Sequence, residues 1–582
     1  MTATPSPKLT PADRIRKLAE TRQRVMALPA EKALQAILEH QQPAALVHSF
    51  PEEDLHFLIH DIGLENALPL LSLASNRQWE YMVDMEAWNR DRLNFQATTA
   101  WLQLLLAADA DRLVKWCYEE KLDWIELVLF RNIELRIRES DQSPSDLGEG
   151  FFTDDDTFYV RFVDYPVTTP QEEAFKRLRN EMLGQLLRRL SCFDHPRYQG
   201  LLMEATGVIP DEIEEELFRM RNVRLGEKGF LPFDEAIGVY QPLQPGELAA
   251  RGKKILRPEP TDDRQLPVPQ ISISFLEGDT LFVKALKQIR EPHILEQLQT
   301  ETAGLCNRVV AADRAVIRGR DQLQTIVSKV GGYLSIGLER LLAGTRKDRE
   351  KKAAEAIQQH MLIDIFRTGF ASALQLKWRA DRWYRESWCR ASGIDLTFWG
   401  ERWLGQLGGL LIDRPKFYDP DRAGSNYRDF AAMEEIEATG LGLAQVTVLD
   451  SLFGKLNLEL APTFAQRAID FKNLLLTQWA RASLKMPPVE PGTSDPAIPV
   501  TRFSPFYETL WRSQEERRRI ADERKTEFLQ WIAKQSGLSK TELADRLGWI
   551  FEALFDEIEQ ELAWVRAGNL DPRHVHLFLL KP

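Results

Sequence analysis

A proline opens one short apolar-periodic segment after another in the N-terminal quarter of the chain. Leu28-Pro29-Ala30-Glu31, Gln42-Pro43 and Phe50-Pro51-Glu52-Glu53-Asp54 each put the proline where a helix can lose an amide donor at no cost. Apolar residues follow at three- and four-residue spacing: Leu34, Ile37 and Leu38, then Leu55, Leu58, Ile59 and Ile62. Thr10-Pro11-Ala12-Asp13 supplies an N-cap with an acid in the first turn. A short helix with one apolar stripe cannot bury it alone and must stack on its neighbours. We therefore expect a loose tail over 1–10 and an α-superhelical domain over 11–140, with the helical pattern running to about Glu139.

Beyond this, Ser140 to Gly150 is polar and breaks the pattern, and 157–163, Thr-Phe-Tyr-Val-Arg-Phe-Val, is β-prone. Thr169-Pro170-Gln171-Glu172 spells a capping box, and Asp211 with Glu214 reads as another helix start, its helix stopping near Gly229. These residues predict a mixed, mainly helical domain over 151–240. A proline-rich linker over 241–270 follows, then a helical domain over 271–486. A second proline-rich linker, 487–505, precedes a C-terminal helical region over 506–582 with a β-like end at His574 to Leu580. The predicted fold class is mostly all-α, with a minor β segment near 157–163.

Several classes of function are disfavoured. Apolar residues make up 44% and charged residues 28%, which suits ordered globular folding. A net charge of −12 repels phosphate, so nucleic acid is not the default partner. No run approaches the ~18 apolar residues of a spanning helix. The start, Met-Thr-Ala-Thr-Pro-Ser-Pro-Lys, lacks an apolar run after a basic patch, so no signal peptide is expected. Cys117, Cys192, Cys306 and Cys389 are far apart, neither a disulfide framework nor a CxxC metal pattern, and are expected as buried thiols. The expectation is a cytoplasmic protein with no cofactor.

Candidate chemistry is sparse. His56 and His60 share a helical face at a spacing that can hold a metal, but position 57 is Phe rather than the glutamate of a zincin motif. Two ligands do not complete a site, so solvated or capping histidines are the plainer reading. His574 and His576 would share one face of a strand, again as only two ligands. Asp84, Trp88 and Asp91, with Arg92 beside them, would lie on one helical face, where paired carboxylates can serve acid–base chemistry or a divalent cation. The plainer reading buries Trp88 and pairs the charges. Asp154, Asp155, Asp156 and Asp164 surround the β-like segment as two-metal nucleases arrange acids, though an acidic turn explains them too. Trp378, Arg382, Trp383, Arg385 and Trp388 interleave rings with cations, as single-stranded nucleic-acid binders do; core tryptophans with snorkelling arginines are the simpler expectation. Glycines at 331–332, 405 and 408–409 match no phosphate-binding loop.

Two resemblances add to this. Leu28-Pro29-Ala30-Glu31-Lys32-Ala33, Phe50-Pro51-Glu52-Glu53-Asp54 and Ala74-Ser75-Asn76-Arg77-Gln78-Trp79 make the first 140 residues similar to the cytosolic superhelical domain of MgtE-type magnesium channels. Without membrane segments that resemblance does not imply transport. Nearly the whole chain resembles a bacterial family of large proteins of unknown function. This resemblance rests on stretches such as Glu227-Lys228-Gly229-Phe230-Leu231-Pro232-Phe233, Tyr333-Leu334-Ser335-Ile336-Gly337 and Arg414-Pro415-Lys416-Phe417-Tyr418. That family implies no activity and no site residues. The leading expectation is an interaction or scaffold protein with a protein partner, its oligomeric state left open. The alternatives are a divalent-cation-responsive regulator or enzyme using dispersed carboxylates, and single-stranded nucleic-acid binding through 378–390.

Overall fold

The computed structural model describes residues 11–207, 209–228, 230–256, 276, 278–315, 317, 319–345, 347–422, 424–456, 469–487, 496–512 and 518–582. The tail 1–10, residues 257–270 of the first proline-rich segment and 488–495 of the second lie outside them. The described residues are mostly α-helical, as the apolar periodicity predicts, and their strands form four two-stranded sheets. None of their helices is long and apolar enough to cross a membrane. The chain divides into two compact units. One comprises Met1–Gln241, Pro245–Leu334 and Leu342–Arg367; the other comprises Pro242–Gln244, Ser335–Leu341 and Thr368–Pro582.

The first unit opens with α1 (Pro11–Met26), α2 (Ala30–Leu38), α3 (Pro43–His48), α4 (Glu52–Ile62), α5 (Leu68–Leu73) and α6 (Asn76–Glu86). Pro11 and Pro43 begin their helices, and Pro29 and Pro51 stand one residue before theirs. After α7 (Phe95–Ala108), α8 (Ala110–Glu119) and α9 (Leu122–Asn132) come the long α10 (Pro170–Phe193), α11 (His195–Thr206) and α12 (Pro210–Glu227). Each short helix packs on the next but one: α4 on α2 and α6, α5 on α3 and α7. Trp79 and Trp116, both fully buried, meet edge to face at 5.9 Å. Burying an indole of roughly 200 Å² stabilises by about 5 kcal/mol at 25 cal/mol per Å². Its polar edge is satisfied, because Trp79 Nε1 donates to the Leu71 carbonyl at 2.8 Å. Gln78 completes a capping box with Ser75 and also donates to the Val47 and Phe50 carbonyls at 2.9 and 3.1 Å, closing the end of α3.

The β-prone segment forms β4 (Phe158–Phe162). Its partner is β3 (Ile133–Ile137), paired antiparallel with Ile133 opposite Phe162 and Ile137 opposite Phe158. The helical reading to Glu139 is therefore corrected: alternating Ile133, Leu135 and Ile137 have period two, and the distant Phe158–Phe162 supplies the ladder. A second correction concerns 84–92. Helix α6 ends at Glu86, and β1 (Trp88–Asn89) turns through Arg90, at φ +60, into β2 (Arg92–Leu93). A residue in the left-handed region cannot continue a helix, so Asp84, Trp88 and Asp91 do not share a helical face.

The second unit contains the helices Glu401–Leu411, Met433–Lys455, Phe471–Ser483, Val500–Thr509, Asp522–Ser536 and Lys540–Leu562. It also holds the hairpin β5 (Phe417–Tyr418) with β6 (Tyr427–Arg428), and β7 (Ile498–Pro499) parallel to β8 (Leu580–Lys581). The glycines of Glu401–Leu411 have a packing cause. A Cβ at Gly405 would lie 2.5 Å from the Tyr418 ring, and one at Gly409 would lie 2.5 Å from the Lys416 carbonyl. Their absence lets the hairpin backbone lie against the helix. Cys117, Cys306 and Cys389 are buried, whereas Cys192, near the end of α10, is exposed.

Candidate functional site

Four-residue spacing puts His56 and His60 on one face of α4, and α4 packs on α6. The last residue of α6 is Glu86, whose carboxylate reaches both imidazoles. Its Oε1 is 2.8 Å from His56 Nε2 and in hydrogen-bond contact with His60 Nε2. The three ligand atoms all lie within 4.8 Å of one another. Among the described residues this is the group of three or more His, Cys, Asp or Glu side chains able to share one ion. Trp101 Nε1, from α7, donates to the other oxygen of Glu86 at 3.2 Å and fixes the plane of the carboxylate.

Burial governs the electrostatics here. His56 is 1% exposed, and desolvation lowers its pKa against the pull of Glu86. Burial alone would raise the Glu86 carboxyl, but the hydrogen bonds from His56 and His60 outweigh it and hold it at about 2. Buried Tyr81 stands edge-on to His56 at 5.8 Å, its hydroxyl pushed far up by burial and by Glu53. Glu53 is itself raised by burial, in opposition to its ion pair with Lys228. Beside His56 is a space of about 20 Å³ lined by Glu53, Phe57, Tyr81, Met85 and Phe230.

The other residues singled out from the sequence are placed differently. Asp84 accepts two hydrogen bonds from Arg224, at 2.7 and 2.8 Å, and its carbonyl accepts Arg221 at 2.6 Å. Trp88 packs on Phe218, with the Arg221 guanidinium 5.7 Å from its ring centre. Asp91 is exposed in the hairpin turn. Arg92 joins Asp211 and Glu214, both at 2.7 Å. Helix α12 thus brings cations to Asp84 and anions to Arg92. Glu214 does not cap α12; the side chain is buried and accepts from Arg92, Arg131 and the Leu93 amide.

Three of the four acids around β4 are engaged, Asp155 also accepting from Gln199 on α11, and Asp154 is exposed. Asp155 accepts from the Thr157 and Phe158 amides, Asp156 pairs with Arg138, and Asp164 pairs with Lys176. His576 offers its amide to Glu561. Along 378–390 the rings diverge. Trp383 is buried 6.3 Å from Trp399, Trp388 stacks on Phe453 at 5.1 Å, and Trp378 is exposed beside Arg382 and Arg385. A strand of bases would find one exposed tryptophan there, not a row.

The residue that sequence reasoning missed is Glu86. A signal was present in the stretch Asp84-Met85-Glu86, but nothing local connects it to a histidine pair 26 and 30 residues away. Comparison with curated proteins and with solved structures finds no match. A family model matches residues 12–581, almost the whole chain, and its description is a family of unknown function, DUF6178. The chain therefore belongs to the family of unknown function DUF6178.

Proposed function

We propose that this chain is a cytoplasmic protein-interaction module, without enzymatic activity of its own, whose N-terminal helices are locked by one divalent transition-metal ion. The ion is held by Nε2 of His56, Nε2 of His60 and the carboxylate of Glu86. The observation that carries this reading is the convergence of Glu86 on the two histidines, with Trp101 orienting the carboxylate from behind. Two imidazoles and one carboxylate suit Zn²⁺, Co²⁺ or Ni²⁺ better than Mg²⁺. Bonds of about 2.0–2.1 Å in a tetrahedron put donor atoms about 3.4 Å apart. Donors already within 4.8 Å of one another need only small side-chain shifts.

A structural or sensing role follows from the surroundings. Hydrolytic zinc and oxygen-activating iron sites with this donor set need an open position next to room for substrate. The space beside His56 is about 20 Å³, enough for a single water molecule. Position 57, where a zincin carries its general base, is Phe57. An ion joining α4 to the end of α6 would rigidify the stack of short helices over 11–140. We read that stack as a superhelical surface for a protein partner, because short helices stacked in series present a continuous row of faces.

The test is titration of Zn²⁺ and Co²⁺ into metal-stripped full-length protein, followed by calorimetry and thermal melting. One ion per chain is expected, with a raised melting temperature; at 100-fold excess over Kd the gain is about 2.7 kcal/mol. His60→Ala abolishes it, Trp101→Phe weakens affinity about tenfold, and Mg²⁺ leaves the melt unchanged. A wild-type melt that stays flat up to millimolar Zn²⁺ sinks the metal reading. A pull-down from the native cell at near-physiological salt that recovers no stoichiometric protein counts against the docking surface.

A further inference from the structure

The second unit holds a half-enclosed cavity of about 800 Å³, the size of a site for a drug-sized molecule. Its walls are aromatic: Trp399, Trp403, Phe417, Tyr418, Phe471 and Trp549. They come from the helices Glu401–Leu411, Phe471–Ser483 and Lys540–Leu562, from the turn before the first of these, and from β5. The site is preformed by packing. Trp403 and Phe471 hold one another at 4.9 Å, and Tyr418 reaches the wall because Gly405 has no side chain.

Three observations define the occupant. The charges lining the cavity cancel, Arg402 and Lys472 against Glu401 and Glu557. Lys472 is already bound to both oxygens of Glu557 at 2.6 Å, and Arg402 lies over the Trp549 ring at 4.8 Å. The lining is therefore neutral overall and offers no net field to a charged ligand. Trp403 is only 4% exposed and its Nε1–H is buried, so what it contributes to the wall is ring carbon. Gln406, also in the wall, has its Oε1 buried against Gly442, so its polar end is likewise withdrawn from the cavity.

We propose that this cavity binds a planar, mostly apolar small molecule without net charge, stacked against its aromatic walls. Aromatic walls take flat apolar rings by stacking and edge contacts. The site lies in the other unit from His56, His60 and Glu86, so it is independent of the metal reading and its failure would not touch that one.

Acridone, a neutral tricycle with one carbonyl, tests this by its own fluorescence against the full-length protein. Anthracene serves as the apolar control, anthracene-9-carboxylate and 9-aminoacridinium as the charged ones. Acridone is expected to bind one to one, at least tenfold more tightly than either charged probe. Trp403→Ala removes part of the aromatic wall and lowers the affinity of acridone and anthracene alike, about tenfold. Ala553→Phe, on Lys540–Leu562, and Ala438→Leu, on Met433–Lys455, fill the space from two walls and abolish binding of both neutral probes. The two separate fillings guard against one variant failing to fold. The proposal is overturned by no acridone binding up to its solubility, by equal binding of a charged probe, or by affinity unaffected in both filled variants. An acridone affinity that falls as protein concentration rises would give the cavity to a second copy of the chain and overturn it as well.

Discussion

Glu214→Ala is expected to cost far more than its place on an acidic helix suggests. The side chain is 2% exposed and accepts from Arg92 at 2.7 Å, Arg131 at 3.0 Å and the Leu93 amide at 2.6 Å. Truncation leaves the buried Leu93 N–H without a partner, which costs ~1–3 kcal/mol. Arg131, one-third exposed, loses an ion pair worth ~0.5–1 kcal/mol. The vanished methylene burial adds ~1 kcal/mol. The sum is about 2.5–5 kcal/mol. Glu214→Gln keeps an acceptor for Leu93 and a similar volume, so it should lose about 1 kcal/mol. Arg92→Ala should be close to silent, because that guanidinium is largely exposed and its partner retains other donors. Urea unfolding followed by circular dichroism at 222 nm measures the order, and hydrogen exchange localises it. In Glu214→Ala the added exchange should fall on the β1–β2 hairpin and on α12. The reasoning fails if Glu214→Ala costs less than 1 kcal/mol, or if Arg92→Ala matches it.

Two further variants probe burial and close approach. The Glu126 carboxyl is pushed up to about 7 by burial and by the neighbouring Glu204, against an ordinary 4.5. The native state therefore holds a proton that the unfolded chain gives up, so stability is full below about pH 4.5 and falls as pH rises to about 7. Discounted for solvent around the exposed Glu204, the loss is about 1–2 kcal/mol. Glu126→Gln should abolish it and exceed wild type above pH 7, and parallel urea midpoints at pH 5 and pH 8 for the two proteins would refute this. Gly409→Ala puts a methyl 2.5 Å from the Lys416 carbonyl, a backbone atom that cannot swing aside. It should destabilise by ~1–3 kcal/mol, read as a lowered urea midpoint with faster exchange in residues 416–428; an unchanged midpoint argues against the close approach.

Most of the helices and several of their starts were legible in the sequence, because helix formation is a local matter of period and caps. Pro11 and Pro43 begin helices, and Thr169 with Glu172 forms the capping box its spelling predicts. The shared face of His56 and His60 also follows from spacing alone. Where the local reading failed, a partner distant in sequence had intervened. Ile133–Ile137 is a strand because Phe158–Phe162 pairs with it, and Glu214 abandons the cap for Arg92 and Arg131. The sequence by itself thus determined a mostly helical chain, where many of its helices begin, and the two histidines on one face. Only the tertiary structure decided what those groups meet. The packing of α4 on α6 brings Glu86 to the histidines, and α12 brings Arg224 to Asp84 from 140 residues away. The physical reason is range: backbone hydrogen bonds and side-chain periods act over about four residues, whereas a ligand set or a buried ion pair is a coincidence of positions that burial alone enforces.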